Sequence, residues 1–436
     1  MMSRTSRGFL ARFMRWGGAW LCLAAVAMAV EPLAPLSLDE CLRPYAGPVA
    51  PGIDSSTLEG KVMCGYQGWF SHPKDGYNRG TGHWGNCLGV PPTVSVELWP
   101  DLREYGSDEL YPTNLVDSTG SPAVVFSSAN RNTVLRHFKW MKDYGIGGAF
   151  VQRFASAVGT EQKMQFVTAV LNNCREGANT YGRTFAVMYD MGFDASTCNA
   201  VRYDWGRLVH DMHITESPAY QLHQGRPLIA LWGYRVGKRK FDADAVSALF
   251  KFLREPANGG CSIMLGTAGD WRMLPPDEGG NLLDKVDIIS RWAVGSFSTP
   301  EAGEAWHERE WTVDLKWCQE HRKDYYPVVF PGFSWHNLWA GRGEQRPLNQ
   351  IPRLGGAFFW RQIQDVKRMG MNKAYVAMFD EIDEGTAIFK CTNSPPAGEF
   401  LTYEGLPSDA YLKLAGAAQR LFAHQTVDDK MPDVSK

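Results

Sequence analysis

AYVAMFDEIDEGTAIFK, residues 374–390, runs from an apolar stretch straight into a knot of carboxylates. A strand buried on both faces reads as a continuous apolar run, so Tyr375 to Phe379 predict an inner, parallel strand of an α/β fold. Asp380, Glu381, Asp383 and Glu384 crowd the point where that strand should stop, beside Gly385. The carboxyl ends of such strands are where α/β proteins keep their chemistry. Carboxylates this close resist joint ionisation, which spreads their pKa values and can supply an acid and a base at one pH. An acidic, solvated strand-to-helix loop is the plainer reading of the same residues.

Working outward, apolar runs alternate with helical patterns. Strands are expected at Lys61–Gln67, Gly148–Phe154, Thr184–Met191, Pro227–Tyr234, Ser262–Gly269, Asp287–Gly295, Tyr325–Ser334 and Ala374–Asp383. Helices are expected near 131–144, 160–178, 203–216, 242–254, 301–322, 354–369 and 408–423, with only a weak one near Asn281 to Lys285. Eight such alternations argue for a (β/α)8 TIM barrel, a single domain over residues 59–425. A long decorated loop follows the first strand through SVELWP and AVVFSS, and a small lid is one use for it. A doubly wound open sheet would bring a Gly-rich phosphate turn, and neither GxGxxG nor GxxxxGK[ST] follows a strand here.

A barrel aims the ends of all its strands at one mouth. Those ends carry Tyr66-Gln67-Gly68-Trp69, then His83-Trp84 in the first loop, Gln152-Arg153, Tyr189-Asp190, Trp232, Asp270-Trp271, Arg291-Trp292 and Trp335-His336-Asn337. Aromatic planes for stacking and forked polar groups for hydroxyls suit a polyhydroxylated ring. Expected sugar contacts are therefore Tyr66, Trp69, His83, Trp84, Gln152, Arg153, Tyr189, Asp190, Trp232, Trp335, His336 and Asn337, with Asp380 and Asp383. Arg153 and Arg291 read equally well as structural cations holding the acidic charges apart. The run Trp306-His307-Glu308-Arg309-Glu310 reads as a solvated helical face.

Composition narrows the partner. The 45 Lys+Arg against 47 Asp+Glu give a net charge of -2, which favours neither nucleic acid nor an anionic membrane. The 16 Trp and 12% aromatic content agree with an oligo- or polysaccharide as the partner. Arg4, Arg7, Arg12 and Arg15 precede an apolar stretch from about Trp16 to Met28, and Ala27-Met28-Ala29 fits a cleavage site. Residues 1–29 thus read as a signal peptide, with periplasmic or extracellular export and no stable membrane span after cleavage. A Pro-rich segment, 30–58, leads into the domain, and 426–436 form a tail. Without Cys22, eight cysteines remain, an even number that permits disulfides in about 105 pairings. Neither CxxC nor HExxH occurs, so no metal or other cofactor is expected.

VMCGYQGWF at the first strand, HFKWMKDYGIGGAFVQRF into the second, FAVMYDMG at the third, FPGFSWHN at the seventh and FDEIDEGT at the eighth form a specific combination. On these, from about Lys61 to Lys390, the chain resembles the glycoside hydrolase family 99 and family 71 group. It is closer to the exported bacterial proteins described as family 71/99-like. In family 99 the last motif reads approximately Asn-Glu-x-His-Glu-Gly, and its two glutamates cleave α-mannosides with retention. The resemblance implies that Glu381 draws a proton from the sugar 2-hydroxyl, giving a 1,2-anhydro intermediate. Glu384 would protonate the leaving oxygen and later activate water. Tyr66, Trp69, Tyr189 and Trp335 match sugar-lining positions. Asp380 stands where the motif has Asn and Asp383 where it has His, which adds two negative charges. A different carboxylate pair, about 5–5.5 Å apart for retention or 6.5–9.5 Å for inversion, is the alternative route.

The expected function is an exported glycoside hydrolase acting on a neutral glycan, an α-linked mannoside or glucan or a pentose-containing polymer. The alternative is a non-catalytic glycan-binding protein on a hydrolase scaffold.

Overall fold

The computed structural model describes residues 35–237, 240–424 and 428–436, apart from the side chain of Gln162. The expected signal peptide, 1–29, and the domain boundary at 425–426 lie outside them. Twelve strands occur: β1 (Val62–Tyr66), β2 (Leu110–Val116), β3 (Pro122–Phe126), β4 (Gly148–Phe154), β5 (Thr184–Asp190), β6 (Leu222–His223), β7 (Arg226–Tyr234), β8 (Ser262–Thr267), β9 (Ile288–Arg291), β10 (Asp324–Tyr325), β11 (Val328–Val329) and β12 (Ala374–Val376). The helices are α1 (Leu38–Cys41), α2 (Arg131–Tyr144), α3 (Glu161–Tyr181), α4 (Ala195–His210), α5 (Ala243–Arg254), α6 (Pro300–Glu320), α7 (His336–Ala340), α8 (Ala357–Arg368) and α9 (Ala410–Ala423).

The main sheet runs β10-β9-β8-β7-β5-β4-β1-β12-β11, with every neighbouring pair parallel. Its two end strands are halves of a single six-residue run. β10 pairs with β9, and β11 pairs with β12. Between them the Tyr326 amide donates to Ile289 at 2.8 Å, and the Tyr375 amide donates to the Pro327 carbonyl at 2.9 Å. The ring therefore closes through residues 324–329 into the expected (β/α)8 barrel. All five residues of β1 are buried, as a strand between a filled lumen and a helix layer requires.

Alternation decides what faces the lumen. Gly65 of β1 faces inward, where a Cβ would sit 1.9 Å from Met378 Sδ and 2.1 Å from Tyr375 Oη, so only glycine fits. Tyr66 turns outward, and its hydroxyl meets His137 Nδ1 of α2 at 2.9 Å. On β4, Gln152 points inward and donates to Tyr375 Oη at 3.0 Å. Its neighbour Arg153 points outward into the helix layer. There Asp204 of α4 accepts from Arg153 Nε at 2.8 Å and Nη2 at 2.5 Å, and from the Tyr189 hydroxyl at 2.5 Å.

Three expectations are corrected. The fourth helix occupies 195–210 rather than 203–216, because Asp194 caps it by accepting from the Ser196 and Thr197 amides. Trp306 and His307 do not form a solvated face; they are buried, with His307 Nδ1 2.9 Å from Asp365 Oδ2 of α8. The decorated loop is a wall rather than a lid. It carries the β2–β3 hairpin, and the Glu97 and Leu98 amides both donate to the Ile382 carbonyl, at 2.8 and 3.3 Å. All eight cysteines described are free and buried. No helix among the described residues is long and apolar enough to cross a membrane.

Arg153 and Asp204 are both fully buried, so breaking the pair leaves an uncompensated charge between barrel and helices. Asp204→Ala is expected to lower stability by about 3–5 kcal/mol. Urea unfolding checks this, and a loss under 1 kcal/mol excludes a structural role for the pair.

Candidate active site

Regular pairing of the last strand ends at Val376, seven residues before the expected Asp383. Beyond it the chain hugs β1, with the Phe379 amide donating to the Gly65 carbonyl at 2.7 Å. That contact delivers Asp380 to the end of β1. Its two oxygens accept from the backbone amides of Gln67 at 2.7 Å and Gly68 at 2.9 Å. Burial pushes its carboxyl up to about 7, against the pull of those amides. Fully buried and held by two backbone amides, Asp380 braces the end of β1.

Glu381 comes next and is also buried. Gln67 Nε2 donates to its Oε1 at 2.5 Å, and the Thr386 hydroxyl donates to its Oε2 at 2.7 Å. Burial first, then the neighbouring Glu384 and Asp383, hold its carboxyl well above the usual range. Glu384 is the half-buried member of the four. Burial and Asp383 push it up to about 7, while the Trp335 indole and Arg342 draw it down. The Trp335 N–H lies near enough to act on this carboxylate without meeting the geometry of a full hydrogen bond. Glu381 and Glu384 therefore titrate as a pair, and near neutral pH the pair keeps a proton.

Asp383 takes a different partner. His83 arrives from the loop after β1, and its Nδ1 lies 2.8 Å from Asp383 Oδ2. The imidazole stacks on Trp69 with centroids 3.8 Å apart and planes 5° from parallel. Around this group the lumen and rim are aromatic: Trp232 meets Trp292 at 5.3 Å, and Trp335 packs between Phe333 and Trp339. Several buried polar atoms here have no partner among the described residues: Gln67 Oε1, Trp69 Nε1, Trp335 Nε1, Trp339 Nε1 and Asp383 Oδ1. Buried polar atoms are normally paired, so these leave hydrogen-bonding capacity unused at this end of the barrel. No group of three or more His, Cys, Asp or Glu among the described residues is arranged for a metal ion.

The expected contacts thus divide. Trp69, His83, Gln152, Trp335, Asp383 and the two glutamates converge on the mouth, and Asp190 and Trp232 reach it as register partners on β5 and β7. Tyr66, Trp84, Arg153 and Tyr189 do not. Trp84 is fully buried and donates its indole N–H to the Phe126 carbonyl at 3.1 Å, and the other three serve the helix layer. Arg291 also turns outward, to Glu310 of α6 at 2.5 Å. His336 and Asn337 staple loops: His336 sits between the Arg346 carbonyl and Glu399, and the Asn337 side chain donates to the carbonyls of Val96 and Glu399. Reading residue by residue missed Gln67, Thr386, Tyr375 and Glu97. Glu97 is buried and accepts from the Ser334 hydroxyl at 2.7 Å and the Asn337 amide at 2.6 Å, fixing the loop that carries Trp335.

No family model and no curated protein matches this sequence. Solved structures do resemble it. The GH99 endo-alpha-mannosidase from Bacteroides thetaiotaomicron is 17% identical, with 84% of this chain and 98% of that one covered and a TM-score of 0.59. The same enzyme in complex with BIS-TRIS-propane gives 17%, 84%, 98% and 0.60. A glycoside hydrolase-like protein is 11% identical over 88% of this chain and 99% of its own, with a TM-score of 0.50. At such identities the likeness is one of fold, and it supports the (β/α)8 barrel.

Asp380→Ala would leave the Gln67 and Gly68 amides unpaired, at about 1–3 kcal/mol each. A loss of that size in the unfolding free energy measured by urea titration is expected. A fully stable variant would mean that Asp380 does not brace β1.

Proposed function

We propose that this protein is an exported glycosidase acting on a neutral glycan, with Glu381 and Glu384 as its working pair. One observation carries the reading: a half-buried Glu384 with its carboxyl raised to about 7 stands beside a buried Glu381 held by two donors. A carboxyl that keeps its proton near neutral pH and faces the mouth is suited to protonate a leaving oxygen. A carboxylate fixed by Gln67 and Thr386 is suited to take a proton from a sugar hydroxyl without moving.

In the reaction we assign, Glu381 accepts the proton of the sugar 2-hydroxyl while that oxygen bonds to the anomeric carbon. The glycosidic C–O bond breaks, and Glu384 protonates the departing oxygen. Water then opens the anhydro ring, giving one proton to Glu384 as the ring oxygen takes one back from Glu381. The Asn-to-Asp change at position 380 fits this route, because Asp380 spends both oxygens on backbone amides. The resemblance to an endo-alpha-mannosidase fold makes α-linked manno-oligosaccharides the first substrate to test.

Turnover should follow a bell-shaped pH profile. Turnover is highest where the coupled pair holds a single proton; it falls on the basic side as that proton is lost and on the acidic side as a second is gained. Glu384→Gln should remove the basic limb and lower kcat by about 10²–10⁴, leaving folding and glycan affinity in place. A screen of the purified protein against α-linked and pentose-containing polysaccharides, with product analysis, tests the reading. Saturable binding with no product at any pH would sink it and leave a glycan-binding protein.

Trp335→Ala should weaken glycan binding more than it lowers Tm, since its ring is half-buried at the rim. Intact affinity with a large fall in Tm would make Trp335 a packing residue instead.

A further inference from the structure

The chain spends unusual effort on one imidazole. His83 has left-handed backbone, φ 62°, which a non-glycine residue holds only where its surroundings dictate it. Its carbonyl accepts from the Ser95 hydroxyl at 2.7 Å, Trp69 covers one ring face, and Phe70 meets the ring edge-on at 6.1 Å. Position and tilt are therefore fixed. Asp383, 2% exposed, fixes the rest. A carboxylate 2.8 Å from Nδ1 draws the ring proton there and leaves the Nε2 lone pair free. The His83 side chain is 38% exposed, and Nε2 has no hydrogen-bond partner among the described residues.

We infer that His83, locked by Asp383 as the Nδ1–H tautomer, accepts a hydrogen bond at Nε2 from a hydroxyl of the bound sugar beside Glu384. This deepens the glycosidase reading and rests on it. His83 is the substrate contact, and Asp383 is a positioning residue acting through it. The charged group in contact with the ring is Asp383; Glu384 follows it in sequence with Arg342 acting on its carboxyl, and Trp69, Phe70 and Ser95 bring no charge. An acceptor backed by the Asp383 carboxylate calls for a neutral sugar with a free hydroxyl at that point. A uronic acid carboxylate there would face like charge, and an O-alkylated sugar would offer no proton.

The experiment uses the full chain labelled with ¹⁵N-histidine, with His83→Gln assigning the resonance and an α-linked manno-oligosaccharide as probe. Expected at neutral pH is a His83 ring protonated on Nδ1, with the Nε2 resonance moving on addition of sugar. Asp383→Asn, whose amide can donate to Nδ1, should flip the ring to Nε2–H and lower kcat/KM about 10–100-fold without a comparable fall in Tm. His83→Asn keeps a donor toward Asp383 but no group at Nε2, and should lose as much. His83→Gln carries a carbonyl oxygen near the Nε2 position and should recover about tenfold of that loss. Asp383→Asn added to His83→Gln should cost little more, since its effect runs through the ring.

An Nε2–H ring in the wild-type protein, or an Asp383→Asn variant as active as wild type, overturns the proposal. Failure of the glycosidase reading looks different: wild type then turns over no glycan. In that case an Nε2 resonance unmoved by saturating sugar overturns the His83 contact, and a moved one upholds it.

Discussion

Four carboxyl groups sit within five consecutive positions, and no lysine or arginine forms a salt bridge with any of them among the described residues. That constraint organises the site. With no cation in contact and only Arg342 acting from further away on Glu384, each acid needs its own donors or its own proton. Asp380 takes two amides of β1, Glu381 takes an amide side chain and a hydroxyl, and Asp383 takes an imidazole. Glu384 alone stays half-buried, and burial together with the neighbouring Asp383 raises its pKa. Separating four similar groups by their partners is how one loop can hold an acid and a base together.

The partners come from chain segments that have little else in common, which explains the long excursion after β1. Gln67 and Gly68 open it, His83 lies within it, and Glu97 closes its inner edge by gripping both Ser334 and the start of α7. Moving the excursion would release the amide donors, the imidazole and the loop carrying Trp335 together. In the glycosidase reading, donors fixed in this way would stabilise developing charge without reorganising.

Barrel and strand positions were legible in the sequence because continuous apolar runs of strand length have few other uses in a chain this long. The eight runs expected from the sequence fall on the eight strand positions of the ring, with β10 and β11 as two halves of one. Which side chains enter the mouth was less legible, and the reason is parity. Successive residues of a strand face opposite sides, so one position separates Gln67 from Tyr66 and Gln152 from Arg153. Knowing that a strand ends near a residue does not say which face that residue takes. Register does: Gly65 opposite Phe150 and Gln152 opposite Met188 put alternate residues in the lumen. The α4 boundary had a local signal, the Asp194 cap, that the helical pattern alone did not reveal.

Pairings across the fold leave no such trace. His83 and Asp383 lie 300 positions apart, and nothing in either neighbourhood announces the other. Yet the pairing changes how the acidic motif reads. An aspartate where the resembled motif has histidine looks like one charge too many. In the folded protein that aspartate holds a histidine, so an imidazole still stands over the mouth, reached through a carboxylate rather than carried on the loop. The aspartate at 380 is absorbed in the same manner by backbone amides. Both departures therefore use their charge to organise neighbours.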